Sequence, residues 1–565
     1  MVHRTRIAEK SGRSAGSADE ADYVVVGAGS AGVIVASRLA ERGASVILLE
    51  AGRKDNTRLV TVPGLVSLVS TVPQLKARVC WKQYSVPQKF ANDRAIPVPR
   101  GKVLGGSSSI NGMLFVRGNK ANYQSWAAEG CEGWDWEKVL AVYKRLENWE
   151  GGPSDVRGVG GPIEVTRQNN LTPASHHFME AAAATLGAPI IEDYNGAEQE
   201  GISVFQQTVR DGVRYSSSRG YLANRELPSL RVQTKTHVCR VVIEKGRAVG
   251  VEVIDAKGGA QIIRAAKEVV VSGGVIGSPQ ILMLSGIGPA AHLRDLGIDV
   301  NADLPVGQNL HDHLFVPMTY LTKDAIHRGT PAHFVSGMIR EQLRPGSSWF
   351  GRALFEAVGF VKTSFAGDIP DLQIHTLPWS YPVPNQDEDK LHLVDLREGF
   401  TILPTLIYPK SRGEVRLASA DPLVAPLIDP GYLTDPADTE FLIESMGMVR
   451  DIAAHAAMGK VEEFTPGPDY REQTALRREL PNRVHSAYHP VGTCRMGNDE
   501  RAVVDPQLRV RGVEGLRVAD ASIMPSVTGG NTNAPSYMIG EMCASFMAAS
   551  SPGDVSARWA TQRRL

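Results

Sequence analysis

The chain has 565 residues, enough for two closely connected domains, with 42% hydrophobic residues to fill large cores and 22% charged. Lysine plus arginine and aspartate plus glutamate number 61 each, so no net field draws the protein to nucleic acid or to an acidic membrane. The five cysteines are scattered and form no CxxC pair, which argues against a disulfide scaffold or a zinc ribbon and suits a reducing, cytoplasmic location. The polar stretch 1–19 has no apolar core and predicts a disordered leader, not a signal peptide. No apolar run is long enough to span a bilayer.

Order begins at "DYVVVGAGSAGVIVASRLAERGASVILLEAG", Asp22 to Gly52. The β-branched run Tyr23–Val26 predicts a strand, followed by a turn carrying Gly27, Gly29, Ser30, Ala31 and Gly32. A helix ending at Gly43 and a strand over Ser45–Leu49 come next, leading to Glu50 and Ala51. The glycines of GxGxxG let the backbone approach a pyrophosphate at a helix N-terminus, and an acid about 20 residues further on meets the adenosine ribose. The unit therefore predicts dinucleotide binding and leaves NAD and FAD equal, because both present the same ADP half.

In "PRGKVLGGSSSINGMLFVRG", Pro99 to Gly118, the glycines and serines predict a loop whose N–H and hydroxyl groups face something polar. Arg231–Gly274 holds several strand-like runs, and "GGVIGSPQILMLSGIGP" (Gly273–Pro289) reads as loop, short helix and glycine-rich exit. "NLHDHL" places His311 and His313 around Asp312 and is taken as structural. "PDLQIHTLPW" (Pro370–Trp379) predicts sheet core, and Leu391–Ser419 a second strand-rich region suited to an antiparallel sheet walling a cavity. Residues about 440–480 predict helices. "HSAYHPVGTCRMG" brings His485, His489 and Cys494 within ten positions, yet Pro490 breaks any helix that would align the histidines and no further ligand cluster is near. No metal is expected, and His485 is expected to be structural. Leu516–Met547 starts as a strand, passes Asp520 and enters a helix near Pro535.

Together these segments, from about Asp22 to Met547, resemble the glucose–methanol–choline family of FAD-dependent oxidoreductases. Gly101–Gly118 resembles its first signature and Gly274–Gly288 its second, with Val275 where a smaller residue is usual. The resemblance implies FAD as cofactor and an α/β fold. A Rossmann-like FAD domain would come from 20–155, 200–310 and 485–550, and an α+β substrate domain on an antiparallel sheet from 156–199 and 311–484, with 551–565 a polar tail. It implies that His489 lies beside the flavin N5 as catalytic base and that Asn531 is the second polar residue of the pair. Arg100, Val103, Gly105, Gly106, Ser107, Asn111, Gly112, Met113, Val238, Asp520, Ala521 and Asn533 join the residues of the first unit around the cofactor. Tyr488 and Trp379 are expected to meet substrate.

The implied reaction oxidises an alcohol to a carbonyl, with electrons passed to O2 or a quinone-type acceptor. Histidine has a pKa suited to taking the hydroxyl proton, whereas Asn531 can only donate to the developing alkoxide. Some choline-oxidising members hold FAD covalently through a histidine where this chain has Ile110, so non-covalent FAD is expected. Choline is doubtful as a substrate, since neither an aromatic cage nor a carboxylate can be placed for it. The alternative is a non-redox enzyme of the same fold, of hydroxynitrile lyase or photodecarboxylase type. A nicotinamide-dependent dehydrogenase would leave both signatures without a role.

Overall fold

The computed structural model describes residues 19–223, 225–322, 331–381 and 397–549. The expected leader (apart from Asp19), the expected tail and residues 391–396 of the second strand-rich region lie outside them.

The β-branched run after Asp22 forms the strand Glu20–Val26 at the middle of a seven-stranded sheet. Across the sheet the order is Leu230–Thr234, Val46–Glu50, Glu20–Val26, Ala260–Val271, Arg247–Ile254 and His237–Glu244, with Leu516–Val518 also paired to Ala260–Val271. Pairings among the first four, and to Leu516–Val518, are parallel, and the last two strands add an antiparallel hairpin. Val46–Glu50 is buried along its whole length, as a central parallel strand must be. It extends one residue beyond the expected end because Glu50 still pairs with Thr234. Helix Gly32–Glu41 buries Val33, Ile34, Val35 and Leu39 and packs against the C-terminal helix Asn533–Ala549.

A second, eight-stranded sheet is antiparallel throughout. Its order is Glu462–Thr465, Met318–Leu321, Gly399–Leu406, Leu372–Leu377, Ala357–Val361 and Gly201–Val204, with Leu314–Phe315 lying between Gly399–Leu406 and His485–Ser486. Strand Gly201–Val204 and the pair His485–Ser486 thus join this sheet, although the expected ranges grouped them with the dinucleotide unit. The span 440–480 is helix, strand and helix: Pro436–Ala454, Glu462–Thr465 and Gln473–Arg483.

Alternation along these strands separates two faces. Leu314, Leu372, Ile374 and Ile402 pack with helices Pro173–Leu186 and Pro436–Ala454 in one core. Gln373, His375, Leu377, Leu403, Thr405 and Phe315 point the other way. "PDLQIHTLPW" is therefore core on only one of its faces. Register aligns the opposite face in rows: Gln373 faces Thr405, Thr405 faces Phe315, and Phe315 faces His485, while His375 faces Leu403.

Candidate active site

A cavity of about 1080 Å³ runs from the glycine-rich turn to the second sheet, where His375, Leu377, Leu403, Thr405 and Phe315 line it. That is larger than a pocket for one small ligand and suits an extended cofactor together with a substrate. Gly27, Gly29, Ser30 and Ala31 form one end, where helix Gly32–Glu41 starts without a side-chain cap, leaving its N–H groups for an anion. Glu50 accepts from the N–H of Ala28 (3.1 Å) and Gly52 (2.7 Å), and burial pushes its carboxyl up to about 7. Gly106 has φ 55°, and a Cβ there would meet Gly29 Cα at 2.7 Å, so the two glycine loops touch because Gly106 carries no side chain. Ser30 Oγ donates to Asn533 Oδ1 (3.1 Å) across the cavity wall. Asp520 accepts from Gly274 N (2.9 Å) and Ser278 Oγ (2.6 Å). The continuous space, the uncapped helix start and the contact of the two glycine loops fit a dinucleotide flavin.

Ala51, Arg100, Ser107, Asn111, Gly112, Met113, Val238 and Ala521 also line the cavity, but Gly32, Val103 and Gly105 do not. Gly32 lies behind it, where a Cβ would meet the Gly27 carbonyl oxygen at 2.0 Å. Val103 is fully buried in a small cluster with Val60, Val69, Val79 and Cys80. Gly105 donates its N–H to the Ala28 carbonyl (2.7 Å), tying the two loops together. These three serve the shape of the site from outside.

At the other end, the two histidine motifs pair. Val491 N donates to His311 O (2.9 Å) and Ala487 N to His313 O (2.8 Å). Between these bonds Tyr488 takes a left-handed backbone, φ 65°, which turns His489 back to the cavity. Asp312, 2% exposed, fixes that turn by accepting from His489 N (2.8 Å), Tyr432 Oη (2.8 Å) and Ser486 Oγ. Arg100 Nη2 donates to the Tyr488 carbonyl (2.8 Å) from the same side.

The His489 ring lies between two partners. Its Nε2 is 3.1 Å from Asn531 Nδ2, and its Nδ1 is 3.0 Å from His313 Nδ1. Asn531 Oδ1 in turn accepts from Gln373 Nε2 (3.1 Å). Burial, with His313, His375 and Arg100 nearby, holds His489 well below its ordinary value of 6.5. Burial also depresses His313 and His485 to about 3 and His375 to about 4. This end of the cavity therefore holds neutral imidazoles.

His489 and Asn531 are brought together as expected, and Tyr488 and Trp379 line the same cavity. His313 was expected to be structural, yet it touches His489. His375 and His485 line the cavity as well. His311 ties loops, with Nδ1 2.7 Å from the Asn309 carbonyl and Nε2 accepting from Val527 N (3.0 Å). Gln373 was missed; the alternation of "LQIH", with Gln373 and His375 polar between Leu372 and Ile374, was the signal. Among the described residues no helix is long and apolar enough to cross a membrane.

Two family models, both described as GMC oxidoreductase, match residues 21–315 and 409–540. An oxygen-dependent choline dehydrogenase of Sinorhizobium medicae is 40% identical, over 94% of this chain and 96% of its own. An alcohol dehydrogenase [acceptor] of Pseudomonas putida is 38% identical, over 93% and 95%. Among solved structures, pyridoxine 4-oxidase from Mesorbium loti superposes with a TM-score of 0.84 at 27% identity, covering 94% of this chain and 100% of that one. Formate oxidase from Aspergillus oryzae gives 0.86 at 26%, covering 95% and 99%.

Proposed function

The chain belongs to the GMC oxidoreductase family, and from that premise we propose that His489 is the general base of its FAD-dependent alcohol oxidation, with Asn531 as donor to the substrate oxygen. FAD, when bound, supplies the acceptor for the hydride that leaves the carbinol carbon. The pair His489 Nε2 and Asn531 Nδ2, 3.1 Å apart at the cavity wall, carries the reading. Alcohol oxidation is the activity the relatives support, and the non-redox alternative finds no support among them.

The hydrogen-bond pattern assigns the protons. Gln373 Nε2 donates to Asn531 Oδ1, so the Asn531 amide presents its N–H₂ to His489. His489 Nε2 must then hold a lone pair, which places the ring proton on Nδ1, donated to the lone pair of His313 Nδ1. A hydroxyl entering between His489 Nε2 and Asn531 Nδ2 gives its proton to the first and accepts a hydrogen bond from the second. The imidazolium so formed keeps its bond to His313, and its depressed pKa favours passing the proton on. Such a base is worth about 10²–10⁴ in rate. The reduced enzyme then passes its electrons to O2 or a quinone-type acceptor.

The test is the visible spectrum of the FAD-loaded enzyme under anaerobic conditions. Alcohol should bleach the flavin band, and readmitted air should restore it if O2 is the acceptor. A flavin that binds but stays oxidised with every alcohol would overturn the reading.

A further inference from the structure

The base stands against an apolar wall. Phe315, Leu377 and Leu403 form a buried cluster joined by Leu354, Phe355 and Trp379, and all six line the cavity. Strand register puts this cluster on the same sheet face as Gln373 and His375, next to the groups that hold the substrate oxygen. Phe315 stacks on His485 (5.8 Å, 23°), and Phe355 packs edge-on to His375 (5.6 Å, 61°). The carboxylates that line the cavity among the described residues, Glu50, Asp93, Asp255 and Asp520, all lie off the second sheet. Of the cavity's buried carboxylates, Glu50 already accepts from the Ala28 and Gly52 N–H groups, and Asp520 from Gly274 and Ser278. Behind His489, Asp312 accepts from its N–H (2.8 Å) and from Tyr432 and Ser486 and faces the Arg100 guanidinium, so that carboxylate is already partnered.

We propose that the site takes an uncharged alcohol whose body beyond the carbinol carbon is apolar and bulky, an aryl or branched alkyl group, and discriminates against a quaternary ammonium of the same shape. This rests on His489 being the base. An apolar body is rewarded for the surface it removes from water. A permanent cation in the same place loses its hydration and, among the described residues of this wall, meets no carboxylate. The preference runs against the substrate named for the choline dehydrogenase relatives.

The test compares four alcohols with the FAD-loaded enzyme under anaerobic stopped flow. They are benzyl alcohol, glucose, choline, and the neutral isostere of choline in which a tert-butyl group replaces the trimethylammonium. The isostere should reduce the flavin with a rate constant over Kd at least about 100-fold above choline's, and benzyl alcohol should do at least as well as the isostere. Thermal-shift binding to the unreactive His489→Ala enzyme should give the same order. Choline equal to or better than its isostere in either assay would overturn the proposal and leave the reading of His489 intact. Faster reduction by glucose, a neutral polyol, than by benzyl alcohol would overturn the role of the apolar wall. Failure of all of these alcohols to reduce bound flavin would overturn the function itself, and the proposal with it.

Discussion

Replacing His313 with leucine removes the acceptor for the His489 Nδ1 proton while keeping an apolar side chain of similar size in a fully buried position. His313 does not receive the substrate proton in this mechanism; it positions the base by accepting from its Nδ1–H. Leaving a buried N–H without a partner costs about 1–3 kcal/mol. The Nε2–H form would also leave a buried nitrogen unpaired and would point its proton at the Asn531 N–H₂, so the cost is felt most by the imidazolium formed in the reaction, whose Nδ1–H loses its acceptor. Proton removal should slow by about 5- to 150-fold. In anaerobic stopped flow, the limiting rate of flavin reduction should drop by that factor while the apparent Kd for alcohol changes by less than about twofold. His313→Asn, whose amide oxygen can accept, should recover most of the loss. A His313→Leu enzyme that binds FAD and reduces it at the wild-type rate would refute that role. So would equal losses in the leucine and asparagine variants, which would mark a role in packing.

Ile110 lines the cavity and offers no nucleophile, so acid precipitation should leave the yellow cofactor in the supernatant, whereas flavin in the pellet would contradict non-covalent binding. His489 is held well below 6.5, so kcat/KM should stay level as pH falls to 6.5 and decline only below it; an acid limb centred above 6.5 would contradict a buried neutral base. Burial also depresses His313 and His485 to about 3. The unfolded chain binds protons at these sites as pH falls through 6.5 and the folded chain does not, so each should cost about 2–3 kcal/mol of stability two units below 6.5. Urea unfolding midpoints that do not fall between pH 7 and pH 4.5 would contradict that. Asn531→Asp would present an acceptor where the alkoxide needs a donor, and should slow flavin reduction by about 10²–10³-fold with FAD still bound.

Much of this was legible because the signals are local. The run from Tyr23 to Glu50 carries its own strand, turn, helix and acid, and the structure follows it within three residues. The pairing of His489 with Asn531 in space was legible through the family pattern around them. The roles of their supports depend on pairings between segments far apart in the chain. "NLHDHL" and "HSAYHP" each read as an isolated histidine cluster, and only their antiparallel pairing, some 170 residues apart, puts His313 on His489 and Asp312 under its backbone. Gln373 was hidden differently. An alternating strand says nothing of what covers each face, and here His375 and Leu377 on the second face line the cavity while Gln373 reaches Asn531 at its wall. Gly32, Val103 and Gly105 were placed with the cofactor because a motif marks residues that shape a loop as clearly as residues that line it.

The rate of anaerobic flavin reduction by a primary alcohol in His489→Ala, with bound FAD confirmed by its spectrum, tests the central claim most directly. A fall of about 10²–10⁴-fold, partly recovered by added imidazole, is the result expected of a lost general base. A wild-type rate in the substituted enzyme would show that another group takes the proton.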